Sequence, residues 1–483
     1  MFLNIHFQVI RRVFSNILFI LTTSFIVCAA LAYVFNEPLK PFLLSSVITL
    51  LFSILIRPYS GQNNSSPNID RRVAYLTVTL SWLLMGLAGT LPYLISGSIP
   101  NFTNAFFESA SGFSTTGSSI LTDIEALPRS ILFWRSLTHW IGGIGIIVLV
   151  IIIMPALKMG GYQLFTLESS LQEKISPKIK SVGLRLLIIY IGLTLAEIIL
   201  LLLGHMSLFE SVCHAFGTIA TGGFSPKNSS IASYSPYIQY VIMGFMLLAG
   251  INFGIHYHIF KRQFKSIRKN EELRFYLFVI FTLGIILSSI LLINKDKSVE
   301  ESFREAFFQV ISIVTCTGFA SADYLQWPIY GWTLIFVALF LGGSTGSTAG
   351  GIKMARHLIL FKNLKRTFRQ SASPNAVIPL TLNGNHFSEE NNNSVLTFMV
   401  VYFLLFLIGS LLMFLTGLDV ATATSSVATC MAGIGPGIGT VGPVSNFAHL
   451  TDFGKYVLTA MMILGRLEIY TVLLLFSGNF WRD

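Results

Sequence analysis

The chain has 483 residues, 53% of them hydrophobic and 11% charged, with a formal net charge of +10. Soluble globular domains carry roughly 25% charged residues, so this composition excludes one and indicates an integral membrane protein. The basic excess is spread over short connections and not gathered on a soluble domain, which excludes a nucleic-acid surface.

Apolar runs near or above the roughly 20 residues that a helix needs to cross the hydrocarbon core occupy 13–35, 39–56, 72–97, 131–155, 183–204, 236–260, 273–293, 328–361 (interrupted), 395–417 and 454–477. These predict about ten helical spans. Their continuity and Leu/Ile content argue against the alternation of a transmembrane β-barrel. The first run follows Arg11 and Arg12 and contains AALA at 29–32, a pattern shared with cleaved signal peptides. It exceeds the roughly 7–15 apolar residues of such leaders, which favours a retained span. The connections 156–185, 261–274 and 353–369 carry five, six and six Lys/Arg, and the positive-inside rule makes them cytoplasmic. Ten spans then put both termini in the cytoplasm. The four cysteines, Cys28, Cys213, Cys316 and Cys430, form no Cys-x-x-Cys pair, so no zinc site or disulfide framework is indicated.

The outside connections resemble one another. They read FTNAFFESASGFSTTGSS (102–119), LFESVCHAFGTIATGGFS (208–225), SFREAFFQVISIVTCTGFAS (302–321) and DVATATSSVATCMAGIGPG (419–437). Registered on Gly117, Gly223, Gly318 and Gly435, the position twelve residues earlier is small (Ala105, Ser211, Ala306, Ala423), and so is the position six earlier (Ser111, Gly217, Ser312, Thr429). The predicted unit is span, short re-entrant helix, glycine segment, span, with a period of roughly a hundred residues. Non-helical backbone at membrane depth is tolerated only when buried in protein or lining a watery cavity, so four such segments around one axis predict a lined pore.

Backbone carbonyls replace a cation's water shell without fixed charge, and aiming them inward requires positive φ, which glycine adopts freely. Thr115, Thr116, Thr221, Thr315 and Thr317 are expected to steady the neighbouring backbone. The preceding helices would turn their partially negative C-terminal ends toward the pore, which favours cations. Acids in the outside connections (Glu108, Asp123, Glu125, Glu210, Glu300, Glu301, Glu305, Asp419) offer a cation-concentrating mouth, although an ordinary solvated surface explains most of them. The eighth span is interrupted by GGSTGSTAGG (342–351) and should be broken or kinked; close helix packing through small residues is the alternative. Arg135, Glu197 and Arg466 are ionisable groups inside apolar spans and so are functional candidates. The histidines show no metal spacing and are read as core or interface residues, and no nucleophile and base pair indicates an enzyme. GIGPGIG lies between spans and not in a βαβ unit, which excludes a dinucleotide loop.

Seven segments, STTGS, TIATGGFS, TCTGF, GIGPGIG, RSLTHWIGGIGI (135–146), GGSTGSTAGGIK (342–353) and GRLEIYTVLLLF (465–476), resemble in order the Trk/Ktr/HKT superfamily of potassium transport proteins, and most nearly its bacterial TrkH type. The resemblance implies an all-α protein of the bacterial inner membrane with four pseudo-repeated units around a central pore. The units would be 71–157, 181–262, 272–369 and 394–483, preceded by a two-span accessory unit at 1–70. It implies a potassium filter built mainly from backbone carbonyls of Thr115, Thr116, Gly117, Thr221, Gly222, Gly223, Thr315, Cys316, Thr317, Gly318, Gly433, Ile434 and Gly435. The fourth segment departs from the family pattern, which often reads Asn-Asn-Leu-Gly-Pro-Gly where this chain has AGIGPG (432–437). Plant relatives that pass sodium often carry serine at the first filter glycine, so Gly117 implies potassium.

The resemblance also implies a gate formed by an intramembrane loop with Gly342, Gly343, Gly346, Gly350, Gly351 and Lys353, and by Arg466 facing the pore. A guanidinium about 6 Å from the ion path would repel a cation by roughly 3 kcal/mol at an effective dielectric near 20. A TrkA-type cytoplasmic nucleotide-binding ring, a homodimer and contacts between the basic loops and membrane lipid complete the expectation. Two alternatives stay open: a proton- or sodium-coupled carrier using a buried charge such as Glu197, and a non-transporting scaffold.

Overall fold

Leu-, Ile- and Phe-rich runs with little interior charge form long helices because, in lipid, every backbone polar group must be satisfied within the segment. The computed structural model describes residues 7–58, 71–148, 178–294 and 297–481, and these are overwhelmingly helical. Helices α1 (Phe7–Val34) and α2 (Lys40–Ile56) form an antiparallel hairpin. Hydroxyls join them where lipid offers no partner: Thr22 Oγ1 lies 2.9 Å from Thr49 Oγ1, and Ser15 Oγ donates to the Ser53 carbonyl at 2.9 Å. This hairpin packs on α3 (Arg71–Ala88), α4 (Leu91–Ser96) and α6 (Arg129–Val148).

Between α4 and α6 lies the short helix α5 (Phe102–Phe113). The chain continues through α7 (Lys178–Leu203), short α8 (Leu208–Ile219), α9 (Pro236–Ala249), α10 (Phe253–Phe260), α11 (Phe264–Lys269), α12 (Glu271–Asn294) and short α13 (Val299–Val314). Then come α14 (Ile329–Ala338), α15 (Met354–Ala372), α16 (Glu389–Phe414), short α17 (Val420–Ala432), α18 (Asp452–Arg466) and α19 (Tyr470–Leu473). A two-stranded antiparallel hairpin, β1 (Thr381–Leu382) with β2 (Asn385–His386), departs from the all-α expectation.

Among the described residues, five helical spans are long and apolar enough to cross a bilayer, and two further spans are bent pairs. Those two correct the continuous runs expected at 236–260 and 454–477. The first bends by 100° between α9 and α10, because Gly250 ends one helix and Asn252 caps the next through Gly254 N–H at 2.7 Å. The second bends by 108° after Arg466, where Glu468 (φ 59°) and Ile469 (φ 56°) take positive φ. The interruption expected in 328–361 is present, separating α14 from α15. The predicted run 131–155 is helical to Val148, and its remainder and the linker to 177 lie outside the described residues.

Hydrophobic packing falls into two main clusters. One joins α1, α3, α5 and α6 to α16–α18, and the other joins α9, α12, α13 and α14. The short helix α5 belongs to the first cluster and α13 to the second, while α17 contributes to both.

Candidate functional site

Each short helix starts on a capping side chain. Asn101, Ser207, Ser298 and Asp419 accept from the N–H of Asn104, Glu210, Glu301 and Thr422 at 3.1, 3.3, 3.2 and 3.1 Å. Helix α13 has 16 residues against 12, 12 and 13 in the others, about one extra turn at its start. The small positions recognised in the sequence are wholly enclosed: Ala105, Ser211, Ala306 and Ala423 are 0% exposed, as are Ser111, Ser312 and Thr429.

The turns leaving these helices share one geometry. The N–H groups of Thr116, Gly222, Thr317 and Ile434 donate to the carbonyls of Ser111, Gly217, Ser312 and Thr429 at 2.9, 2.8, 2.8 and 3.0 Å. Two residues before each registering glycine the backbone is left-handed, at Thr115 (φ 54°), Thr221 (φ 53°), Cys316 (φ 56°) and Gly433 (φ 71°). The glycines are left-handed again: Gly117 (φ 82°), Gly223 (φ 80°), Gly318 (φ 82°) and Gly435 (φ 101°). Three of the four first positions are not glycine, so tertiary packing and not residue choice holds that strain.

The four segments close on one another. A Cβ added to Gly117 would lie 2.1 Å from the Gly222 carbonyl oxygen, one on Gly223 2.1 Å from Thr317 O, one on Gly318 1.7 Å from Ile434 O, and one on Gly435 2.8 Å from Thr116 O. The contacts run first to second to third to fourth to first, a ring in which each glycine faces its neighbour's carbonyl. All four glycines also line a single cavity of about 160 Å³. Hydroxyls brace the ring: Ser114 Oγ to Thr116 Oγ1 at 2.7 Å, Thr315 Oγ1 to Thr317 Oγ1 at 2.8 Å, and Ser312 Oγ to the Phe319 carbonyl at 2.7 Å.

Glu108, read as an outside acid, is fully buried, and this corrects that placement. Its carboxylate takes Arg135 Nε at 2.8 Å, the Ser119 hydroxyl at 3.0 Å and Ile120 N–H at 3.0 Å. Arg135 lies 4.1 Å over the Phe224 ring, whose other face stacks on His139 at 4.1 Å, and its Nη1 donates to the Ser225 carbonyl at 3.3 Å. One turn of α6 thereby grips the residues that follow both Gly117 and Gly223. The cavity wall includes Arg135 and Lys227 but no Asp or Glu among the described residues, so the acidic mouth is not part of it. Lys227 lies between Glu125 and Glu210 at 3.5 and 3.4 Å.

The interrupting segment packs against the ring. Gly350 abuts the Ala432 carbonyl, which an added Cβ would meet at 2.2 Å, and Gly351 sits 3.2 Å, by the same measure, from Cys316 Sγ. Thr348 Oγ1 donates to Ile219 O at 2.9 Å, Ser344 N–H donates to Gly250 O at 2.9 Å, and Phe253 N–H donates to Gly346 O at 3.1 Å. The bend between α9 and α10 therefore receives the segment. Gly342 and Gly343 pack against its own backbone and side chains, and Lys353 Nζ donates to Ala349 O. Arg466 Nη1 donates to Thr348 O and its Nη2 to Gly142 O, both at 3.0 Å, fastening the segment to α6. Its neighbour Glu468 pairs with Arg356, whose guanidinium lies 3.7 Å over the Phe398 ring. Arg135 and Arg466 are not alone as enclosed cations, since Lys353, Arg356 and Lys455 are buried too. Sequence reading missed Glu272, Arg356 and the Phe224 stack; the signal available was a cluster of charges beside a span end.

Fold and site together define a mostly α-helical membrane protein with several apolar spans, in which four glycine-bearing turns meet in a ring. A family model described as TrkH, cation transport protein, matches residues 42–483. The chain is 34% identical over 487 residues to the Trk system potassium uptake protein TrkH of Escherichia coli K12, covering 99% of this chain and 100% of that one. It is 36% identical over 413 residues to the Trk system potassium uptake protein TrkI of Halomonas elongata, covering 85% and 84%. The crystal structure of the potassium transporter TrkH from Vibrio parahaemolyticus superposes with a TM-score of 0.90 at 32% identity, covering 99% of this chain and 100% of that one. The chain belongs to the TrkH family of cation transport proteins, a family of transporters and not of enzymes.

Proposed function

We propose that the protein carries out potassium uptake across the bacterial inner membrane through the ring, with both termini cytoplasmic. Its units would be 71–157, 181–262, 272–369 and 394–483 around the pore, with 1–70 as an accessory hairpin. The observation that carries this reading is the cyclic fit of Gly117, Gly223, Gly318 and Gly435 to their neighbours' carbonyls. Carbonyls of residues 115–117, 221–223, 315–318 and 433–435 would replace the ion's hydration shell. Membership in a cation transport family and the potassium-uptake names of its relatives support the choice of ion. The segment with Gly342, Gly343, Gly346, Gly350, Gly351 and Lys353 would close the path beneath the ring, with Arg466 as its fastening. A TrkA-type cytoplasmic ring would move it, and the protein would work as a homodimer.

One observation favours a coupled carrier. Glu197 is fully buried beside Thr218, and neither carboxyl oxygen meets hydrogen-bond geometry with a described residue. A flux reversal potential that follows the pH gradient would support that reading.

The test is potassium against sodium uptake into liposomes holding the purified protein, alongside Gly318→Ser. The expected result is a potassium preference that the substitution abolishes, because a side chain there collides with Ile434 O. Selectivity indifferent to Gly318 would sink the filter reading.

A further inference from the structure

The interrupting segment is held by a residue on a different span, at a position that neither the glycine ring nor Arg466 explains. Glu272 lies in the first turn of α12 and is 1% exposed. Its Oε1 accepts from Thr345 N–H at 2.7 Å and from the Thr345 hydroxyl at 3.2 Å, and the same oxygen accepts from Ala355 N–H at 2.9 Å. Thr345 lies early in the segment, and Ala355 is the second residue of α15, just beyond its end.

Two physical facts make this contact more than packing. First, α15 has no cap of its own: Lys353, at the capping position, makes no side-chain bond to the helix. The first N–H groups of a helix lack internal partners and attract a negative charge, so Glu272 caps α15 from another helix. Second, the oxygen that caps α15 also holds Thr345, so one atom pins both ends of residues 345–355. That stretch includes Thr348, Gly350 and Gly351, the residues that meet Ile219, Ala432, Cys316 and Arg466. Displacing the segment while both ends stay fixed requires bending it within a packed interior, whereas freeing either end lets it swing as a hinge.

The clip sits at a junction with the basic connection. Glu271 pairs with Lys362 of α15, and Glu271 N–H donates to Asn383 Oδ1 at 2.7 Å, at the turn of the β1–β2 hairpin. The start of α12 therefore joins the segment, α15 and the hairpin.

We propose that Glu272 is the positioning residue that holds the intramembrane segment closed, by accepting from Thr345 and Ala355 on one carboxylate oxygen. This rests on the reading of that segment as the gate. Hydrogen bonds to a charged acceptor are the stronger class, so their loss predicts a rise of roughly tenfold or more in the population of the displaced segment.

The experiment pairs amide hydrogen exchange across residues 344–355 with potassium flux in liposomes, without an activating partner, for wild type, Glu272→Ala, Glu272→Gln and Glu271→Gln. Glu272→Ala should raise both by roughly tenfold. Glu272→Gln keeps an accepting carbonyl and the side-chain volume, so it should raise both by less, and it carries the test should the alanine variant fail to fold. Glu271→Gln weakens the Lys362 pair farther along α15 but breaks no bond to the segment, so it should raise both far less than Glu272→Ala. Unchanged exchange in the Glu272 variants overturns the proposal, as does an equal rise in Glu271→Gln. Faster exchange without added flux, in a protein that does carry potassium, overturns the closing role. If neither the wild type nor any variant carries potassium flux, the functional reading fails by itself, and the exchange data still decide whether Glu272 holds the segment.

Discussion

The glycine ring and the segment packed against it are both irregular backbone buried in a membrane protein, yet they are held in opposite ways. The ring is self-consistent: four segments repeat the same hydrogen bond, the same two left-handed residues and the same glycine-to-carbonyl contact. The interrupting segment repeats nothing. It is fixed by single side chains reaching from elsewhere, chiefly Glu272 and Arg466. A structure held by repeated steric fit changes only by deforming all its parts, while one held by a few replaceable bonds has a second arrangement within reach. Rigidity in the one and release in the other would suit the selector and gate proposed above.

The largest expected effect probes the wall of the ring. Arg135→Ala strands the buried Glu108 carboxylate, and breaking a buried pair this way destabilises by about 3–5 kcal/mol. Thermal unfolding in detergent should show a clear drop in Tm; an unchanged Tm would mean that the clamp around Phe224 is incidental. Next, Arg466→Ala removes two charge-assisted bonds, one to Thr348 O of the segment and one to Gly142 O of α6, each contributing about 1.5–3 kcal/mol, and none from the ring. Closed-state potassium flux should rise roughly tenfold or more while ion preference is kept, and a loss of preference at unchanged flux would erase the distinction between the two regions. The smallest effect isolates strain from collision. Gly417 has a φ of 86°, much like Gly318 at 82°, but nothing lies within 4 Å of an added Cβ. Gly417→Ala should therefore destabilise by about 1 kcal/mol through backbone strain alone, with selectivity intact in the same uptake assay.

Much of the ring was legible because its requirements are local and sterically severe. Ser111, Gly217, Ser312 and Thr429 are small where the helix is fully enclosed, and their carbonyls take the N–H five residues on, so the register found by comparing loops reflects one turn made four times. Gly435 was locatable although its flank differs from the family pattern, because Gly433 and Gly435 both adopt positive φ. Other features left only faint traces. The bend at Gly250–Asn252 was written in a glycine followed by a capping asparagine, inside a run whose hydropathy hid it. Glu108 looked like a surface acid because hydropathy does not reveal that Arg135, 27 residues later, meets it in the interior.

Hydrocarbon solvation and the absence of a Cβ act on each residue where it stands, so the sequence alone located the long apolar helices, the broken eighth span and the four glycine turns, but not the bends within 236–260 and 454–477. Tertiary structure decided which carbonyl each glycine faces and which side chains hold the interrupting segment. Those bonds join residues 73, 83, 118 and 324 positions apart. No local preference specifies such a meeting, which follows only once the packed helices bring those positions together.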